Sequence, residues 1–356
     1  MMPRIDSNRG LKEALLNGEP LHFDAAEPEE QRTVEASWIA EAARTGQAVH
    51  VVNAIVLGKL ALAYEKIQGR IIVQNCVFRE QPNFRRTVFS KITDFKDVTF
   101  KMGATFLGAT FEDDLDLSRS EFAAGCAEFG DARFSRGFLA VESKFRIAAA
   151  FPRTEFGRAA RFDRACFEGD ANFRGAIFGE AYFPATVFNQ GTDFSAVSIA
   201  GVGGFRKARF RSTANFTDIH VGAESNFSLA CFDGEATFVR ARLDGRAKFE
   251  TARFDHSADF GSACFGGRMR FTIQTCKGKV TFSGATFERP LQFGDDIEGK
   301  ISLFEAEVDF KGAKMSSNVN VLGRFSGFVD FRGVRFDAGA DFGGSVFQER
   351  VLFSFA

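Results

Sequence analysis

Phenylalanine recurs with alternating steps of five and six residues over most of this 356-residue chain. The pattern can be followed through Phe78, Phe84, Phe89, Phe95, Phe100, Phe106 and Phe111, and it returns over 151–178 and 227–271. A short period kept over most of a chain is typical of repeat proteins, in which small units stack on their neighbours. The sequence therefore predicts a repeat architecture, whereas no motif in it points to a particular reaction.

Two consecutive steps add up to 11 residues, a period that a right-handed helical coiled coil would also show. The residue two before each Phe is often Ala, and the residue between them is polar or variable. Positions i and i−2 share one face of a strand, whereas a helix places apolar residues at i+3 and i+4. Repeats with a central Gly, such as Gly108, Gly175 and Gly284, would cost a helix about 1 kcal/mol each. We therefore expect strands.

Each step leaves two or three extended residues before a turn, so one strand cannot bury its own face. Four such sides form a coil of 22 residues, and stacked coils make a β-solenoid. Alternating Ala and Phe fit a narrow interior, because rings fill the axis while small residues let the wall approach. Of the 46 Phe, 45 follow residue 71. We expect the solenoid to occupy residues 49–356.

Residues 1–48 differ in composition and predict a small α-helical cap at the N-terminus. The first helix is expected to be N-capped by Asp6 or Ser7 and to end before Gly18. The second is expected to begin at Pro28. Its predicted apolar stripe consists of Val34, Trp38 and Ala42. We expect this stripe to cover the end of the solenoid core.

The repeat unit reads Ala-(Asp/Asn)-Phe, as in Ala171-Asn172-Phe173 and Ala258-Asp259-Phe260. It resembles the pentapeptide-repeat family, whose consensus is A-(D/N)-L-x-x, in a variant centred on Phe with one extra residue in alternate pentads. The resemblance covers about residues 76–353. It implies an all-β fold, a right-handed quadrilateral β-helix that often dimerises end to end.

Three irregularities interrupt the period. Phe122 and Phe129 are seven residues apart, with Gly125 as the expected bulge. Two successive steps of five follow Phe178, so one residue is missing there. The pattern also blurs over 294–304 and 315–325. We expect bulges to absorb these changes.

Catalytic, metal and cofactor motifs are absent from the sequence. The six Cys form no CxxC pair, the four His are dispersed, and the glycine-rich strings precede no helix pattern. We therefore expect no enzyme activity, no metal and no cofactor. No apolar run is long enough for a secretion signal or a membrane span, so we expect a cytoplasmic protein.

The formal net charge is −1, and the repeat region is close to neutral, so direct nucleic-acid binding is not expected. Residues 112–131 are mostly acidic, residues 133–164 mostly basic, and a second basic group starts at Arg206. Such groups either pair between neighbouring coils or form docking patches for a charged partner. The candidate docking residues are Asp113, Asp114, Asp116, Glu121, Arg206, Lys207 and Arg209.

A regular rod without catalytic motifs favours a non-enzymatic scaffold for protein–protein interaction. The family resemblance offers an alternative, because some pentapeptide-repeat proteins mimic DNA, bind type II topoisomerases such as gyrase and change their sensitivity to inhibitors. That role needs a strongly negative rod, and this sequence is nearly neutral.

The last residues continue the repeat without a polar cap. An uncovered coil would expose strand edges and aromatic rings. We expect either end-to-end homodimerisation through Val351, Phe353 and Phe355, or a longer natural chain.

Overall fold

The structure, a computed structural model, describes residues 8–294 and 301–354. The chain divides between Asn172 and Phe173 into two compact units. Each unit is a parallel β-solenoid whose short strands stack in four ladders. We name the ladders faces A, B, C and D, in the order in which the chain passes through them, and use the same names in both units.

Unit 1 begins with two helices, α1 (Asn8–Leu16) and α2 (Ala36–Arg44), and a 3₁₀ helix at Glu29–Arg32. Its face A strands are Thr33–Glu35, Ile55–Leu57, Val77–Phe78, Thr99–Phe100, Glu121–Phe122, Lys144–Phe145 and Cys166–Phe167. Face B holds Gly103–Thr105, Cys126–Glu128, Ala149–Ala150 and Ala171–Asn172. Face C holds Lys66–Ile67, Val88–Phe89, Thr110–Phe111, Arg133–Phe134 and the start of Glu155–Arg161. Face D holds Leu21–His22, Val49–Val52, Ile71–Gln74, Thr93–Asp94, Leu115–Asp116, Phe138–Leu139 and the end of Glu155–Arg161.

Unit 2 repeats this order. Face A holds Val187–Phe188, Arg209–Phe210, Cys231–Phe232, Arg253–Phe254, Thr275–Cys276, Ser302–Phe304, Gly323–Phe325 and Val346–Phe347. Face B holds Thr192–Asp193, Ala214–Asn215, Ala236–Thr237, Ala258–Asp259, Val280–Thr281, Val308–Asp309, Val329–Arg332 and Val351–Ser354. Ile177–Tyr182 runs through the corner between faces C and D. Face C continues with Ser198–Ile199, His220–Val221, Arg242–Leu243, Cys264–Phe265, Thr286–Phe287, Lys314–Met315 and Arg335–Phe336, and face D with Gly203–Gly204, Ser225–Asn226, Ala247–Lys248, Met269–Phe271, Leu291–Phe293, Val319–Val321 and Ala340–Asp341.

The coil has the predicted length. On face A, Thr99 pairs with Val77 on one side and with Glu121 on the other, in parallel. Equivalent positions of neighbouring coils are accordingly 22 residues apart where the repeat is regular, as Arg119 and Asp97 are. The predicted parallel β-solenoid with a small helical N-terminal cap is therefore confirmed.

Stacked phenylalanine rings fill the interior. In unit 1 the rings of Phe78, Phe100, Phe122 and Phe145 form one column, with centroids 4.8–5.4 Å apart. All four side chains are fully buried. Rings from adjoining faces meet edge-on, as Phe78 and Phe95 do at 85°. Each buried ring contributes about 2–3 kcal/mol, so the repeated Phe position is the main source of stability.

The corners explain the Asp or Asn of the repeat. The Oδ1 atom of Asp259 accepts the backbone N–H of Gly261 at 2.7 Å, and Asn215 does the same for Thr217 at 3.0 Å. This local bond satisfies a backbone donor where the chain leaves the ladder. The consensus residue is therefore structural.

The second helix is shorter than predicted. The prediction that it begins at Pro28 was wrong, because Thr33–Glu35 forms a face A strand that pairs with Ile55–Leu57 and buries Val34. Pairing with a neighbouring coil satisfies these backbone groups as a helix would. The shorter α2 buries Ile39, Ala40 and Ala43, and it packs against α1 and the first strands. Asp6 and Ser7 lie outside the described residues.

Two ladders begin within residues 1–48. Leu21–His22 pairs with Val51–Val52 on face D, and Thr33–Glu35 starts face A. The first helix ends as predicted, since Gly18 has a φ of 76°. The helices and the first strands of the solenoid are thus interleaved along the chain.

Local changes in the backbone accommodate the irregular Phe spacings. At Gly125, with a φ of 73°, face B gains one residue and Cys126 pairs with Gly103, which confirms the predicted bulge. After Phe178 the strand Ile177–Tyr182 rounds a corner without interruption, which accounts for the missing residue. Of the blurred stretch at 294–304, residues 295–300 lie outside the described residues.

Candidate interaction surfaces

Among the described residues, no three His, Cys, Asp or Glu side chains come close enough to hold a metal ion. All six Cys are free thiols. Burial raises the pKa of Cys76 and of Cys276 to about 12, which keeps both thiols protonated at neutral pH. Neither described helix is long and apolar enough to cross a membrane.

Three of the predicted acidic docking residues lie together at the start of a face D strand in unit 1. Asp113 is 3.5 Å from Arg136 Nη1, and Asp114 accepts the backbone N–H of Gly137 at 2.8 Å. Asp116 is only 8% exposed and lies 3.0 Å from Lys96 Nζ. The hydrogen bond to Asp116 raises the pKa of Lys96. All three carboxylates therefore have partners.

The fourth acidic residue lies on another face. Glu121 belongs to face A, where Arg146 Nε is 2.5 Å from Glu121 Oε1 and Arg146 Nη1 is 3.4 Å from Glu168. One arginine thus bridges carboxylates of the coils on either side. The structure does not bring Glu121 into one patch with the face D residues.

Ion pairs between coils also occupy the corners. Arg119 binds both carboxylate oxygens of Asp97, at 2.7 Å each, and Arg153 does the same with Asp131 at 2.7 and 2.8 Å. Of the two interpretations of residues 112–164, pairing between neighbouring coils therefore describes most of these charges.

The basic group of unit 2 is divided between a strand and a corner. Arg209 lies on face A and donates from Nε to Asp233 Oδ2 at 2.8 Å. Arg206 and Lys207 lie exposed at the corner between faces D and A, and their side chains form no hydrogen bond or ion pair with the residues described. These two cations are available to a partner.

The last described strand leaves aromatic surface open. Phe353 stacks on Phe331 at 5.0 Å and remains 51% exposed. Val351 is half-buried, and Val346 on face A is also exposed. Phe355, the third predicted interface residue, lies outside the described residues.

Sequence reasoning offered pairing between neighbouring coils as one interpretation but did not place the ion pairs at the corners. On faces B and D, the second residue after the inward Phe has positive φ in most coils. At some of these corners it is a charged residue of opposite sign to that of the neighbouring coil, as with Asp131 and Arg153. Aligning the sequence at 22-residue intervals would have placed the two one above the other. The signal was present, but it appears only once the coil length is known.

Parallel ladders on four faces, a column of stacked rings and side-chain-capped corners define a β-helical repeat protein. A family model of pentapeptide repeats, with nine copies, matches residues 74–121 and 151–198. These two segments are therefore identified as pentapeptide repeats. Comparison with curated proteins and with solved structures finds no match.

Proposed function

We propose that the chain is a non-enzymatic scaffold that binds other proteins through its outer walls. The observation that supports this is the packed interior, where Phe205 and Phe227 stack coil on coil and Phe216 meets both rings edge-on, all three being buried. An interior filled in this way leaves the outer walls for recognition, and their backbone is held rigid by the ladders.

Within this proposal, Arg206 and Lys207 are the docking residues. Both are exposed without an anionic partner among the described residues, so binding an acidic surface would not require breaking an existing ion pair. Arg209 already binds Asp233 and would contribute less. Asp113, Asp114, Asp116 and Glu121 are also engaged, which counts against the DNA-mimic alternative.

Affinity capture with the purified chain tests this function, followed by calorimetry with the purified partner. We expect one saturable partner whose affinity falls about tenfold in an R206E/K207E variant. Arg85 and Arg86 follow Phe84 as Arg206 and Lys207 follow Phe205, and they are also exposed. An R85E/R86E variant is therefore the matched control and should bind normally. Equal loss in both variants would reject the docking residues, and substrate turnover by the purified chain would reject a non-enzymatic role.

We further propose that a second copy covers the exposed aromatic surface at Val351 and Phe353. Light scattering at micromolar concentration should give the mass of a dimer, and Phe353→Glu should give that of a monomer. Ile177→Glu is the matched control, because Ile177 is 52% exposed and lies on another coil. A monomeric wild-type chain would contradict this proposal.

A further inference from the structure

A groove of about 530 Å³ lies on face D of unit 2. Its polar lining consists of Arg268, Gln292, Asn318, Asn320 and Asp341. These side chains come from four successive coils, because Met269 pairs with Leu291, Leu291 with Val319 and Val319 with Ala340. The volume lies in the range of sites that bind small ligands or short peptide segments.

Most polar side chains of this groove are exposed to solvent and have few partners within the protein. Gln292, Asn318 and Asn320 make no side-chain hydrogen bond with any described residue, and Arg268 forms no ion pair with one. Asp341 uses Oδ1 to accept the N–H of Gly343 at 2.8 Å, which leaves Oδ2.

Some outward charges elsewhere on face D of unit 2 are paired. Lys248 binds Glu224 at 2.8 Å, and Arg270 binds Glu250 at 2.9 Å. The groove brings polar side chains of four coils together, and most of them lack a partner among the described residues.

The hydrogen-bonding and charged side chains of the groove favour one class of ligand over others. A carboxamide offers a donor and an acceptor on one plane, which matches the N–H and C=O of a peptide main chain. A phosphate accepts only, and Asp341 would repel it; a divalent cation needs several carboxylates. The groove lining contains no aromatic ring on which a sugar could stack. An extended peptide fits best.

The length of the groove matches that of a short extended peptide. Three ladder spacings separate Met269 from Ala340, which is about 14 Å, and an extended chain of four residues spans about 13 Å. Arg268 at one end of the groove can bind a carboxylate in two-point geometry. Asp341 at the other end would accept a main-chain or side-chain donor.

We propose that this groove binds an extended segment of a partner protein, about four residues long. The carboxamides of Gln292, Asn318 and Asn320 bond its main chain, and Arg268 binds an acidic side chain at one end. This inference rests on the proposed scaffold function and names a second contact for the same partner.

The test uses a blocked synthetic peptide, acetyl-Glu-Ala-Ala-Ala-amide, titrated into ¹⁵N-labelled full-length chain. Side-chain NH₂ resonances are assigned by single substitutions of Gln292, Asn318 and Asn320. We expect saturable shifts of these resonances, about tenfold weaker binding in Arg268→Ala, and no saturable shifts in N318A/N320A. Arg246→Ala is the matched control and should bind normally, because Arg246 precedes Ala247 as Arg268 precedes Met269, one coil away and outside the groove.

Absence of shifts at about 10 mM peptide, ten times a millimolar Kd, would overturn the inference. Shifts caused by a linear tetrasaccharide but not by the peptide would overturn it in favour of a glycan. Unchanged affinity of Arg268→Ala for the peptide would show that Arg268 does not bind the acidic side chain. Because the probe is synthetic, each of these failures leaves partner capture through Arg206 and Lys207 unaffected, so the two proposals fail separately.

Discussion

Arg240 binds both carboxylate oxygens of Asp218, one coil away, with Nε–Oδ1 and Nη2–Oδ2 distances of 2.7 Å each. Both residues have positive φ, 54° and 58°. An exposed ion pair contributes at most about 1 kcal/mol. A left-handed backbone costs a residue with a Cβ about 1–2 kcal/mol. The backbone conformation therefore dominates the energetics of this corner.

The first prediction follows from that balance. Replacing Asp218 by Gly removes the ion pair but also the left-handed penalty, so the variant should be at least as stable as the wild type. Asp218→Ala should be about 1 kcal/mol less stable than Asp218→Gly in urea unfolding. Asp244 provides the control, because it pairs with Arg242 at 2.7 Å but does not have positive φ. At this site Asp244→Ala should be more stable than Asp244→Gly. The same order of stability for the Gly and Ala variants at positions 218 and 244 would refute the prediction.

The second prediction concerns acid stability. The Asp330 side chain is 5% exposed, and its hydrogen bonds from Arg332 hold the pKa of this carboxyl below its ordinary value of 3.8. Because the pKa is depressed in the folded state, the pair contributes full stability above the unfolded-state pKa. That contribution is lost as the pH falls through the folded-state pKa. Asp330→Asn keeps the side-chain acceptor but removes the charge.

The unfolding free energies of wild type and Asp330→Asn should therefore differ at pH 7 and approach each other progressively as the pH falls below about 4. Urea titrations at several pH values measure this convergence. Curves that run parallel down to pH 2 would show that Arg332 does not perturb the carboxyl.

The coil could be predicted from sequence because backbone geometry fixes its length and buried rings mark every side. The start of α2 could not be predicted, since the strand at Thr33–Glu35 depends on a partner 22 residues later in the chain. The face D groove could not be predicted from the sequence either. Its polar residues belong to four coils, and the irregular spacing after Phe293 obscures which residues align.

A third feature that could not be predicted is an exchange of Phe and Ala between the two inward positions of one face D coil. On successive face D coils the two inward positions are Leu115 and Leu117, then Phe138 and Ala140, then Ala160 and Phe162. Phe138 thus occupies the small position and Ala140 the large one, which conserves interior volume. The ring of Phe138 packs 4.7 Å from Phe134 and 5.2 Å from Phe162.

The third prediction tests this exchange. Phe138→Ala should cost about 3–5 kcal/mol of unfolding free energy through the cavity it leaves. Ala140→Phe alone should overpack the coil and cost about 1–3 kcal/mol. The double variant restores the ordinary Ala-x-Phe order and should fall within about 1.5 kcal/mol of wild type. Additive losses in this double-mutant cycle would contradict the volume argument.

The fourth prediction concerns the bulge. A Cβ at Gly125 would lie 2.2 Å from the carbonyl oxygen of Met102, so Gly125→Ala should destabilise the chain more than the left-handed penalty alone. Gly108→Ala is the control, because its Cβ would meet only the Arg86 side chain, at 3.2 Å. Deleting Gly125 restores the six-residue step and should be nearly neutral in thermal unfolding. A deletion as harmful as the substitution would show that the bulge itself is needed.

The constant register has a consequence for how such a gene can change. Wherever residues 22 positions apart occupy equivalent sites, as Asp131 and Arg153 do, the interchangeable piece is a run of 22 codons with no fixed starting point. Duplicating or losing one such run keeps every column of rings aligned. An insertion of any other length must be absorbed at a corner, so lineages of this protein should differ mainly by whole coils.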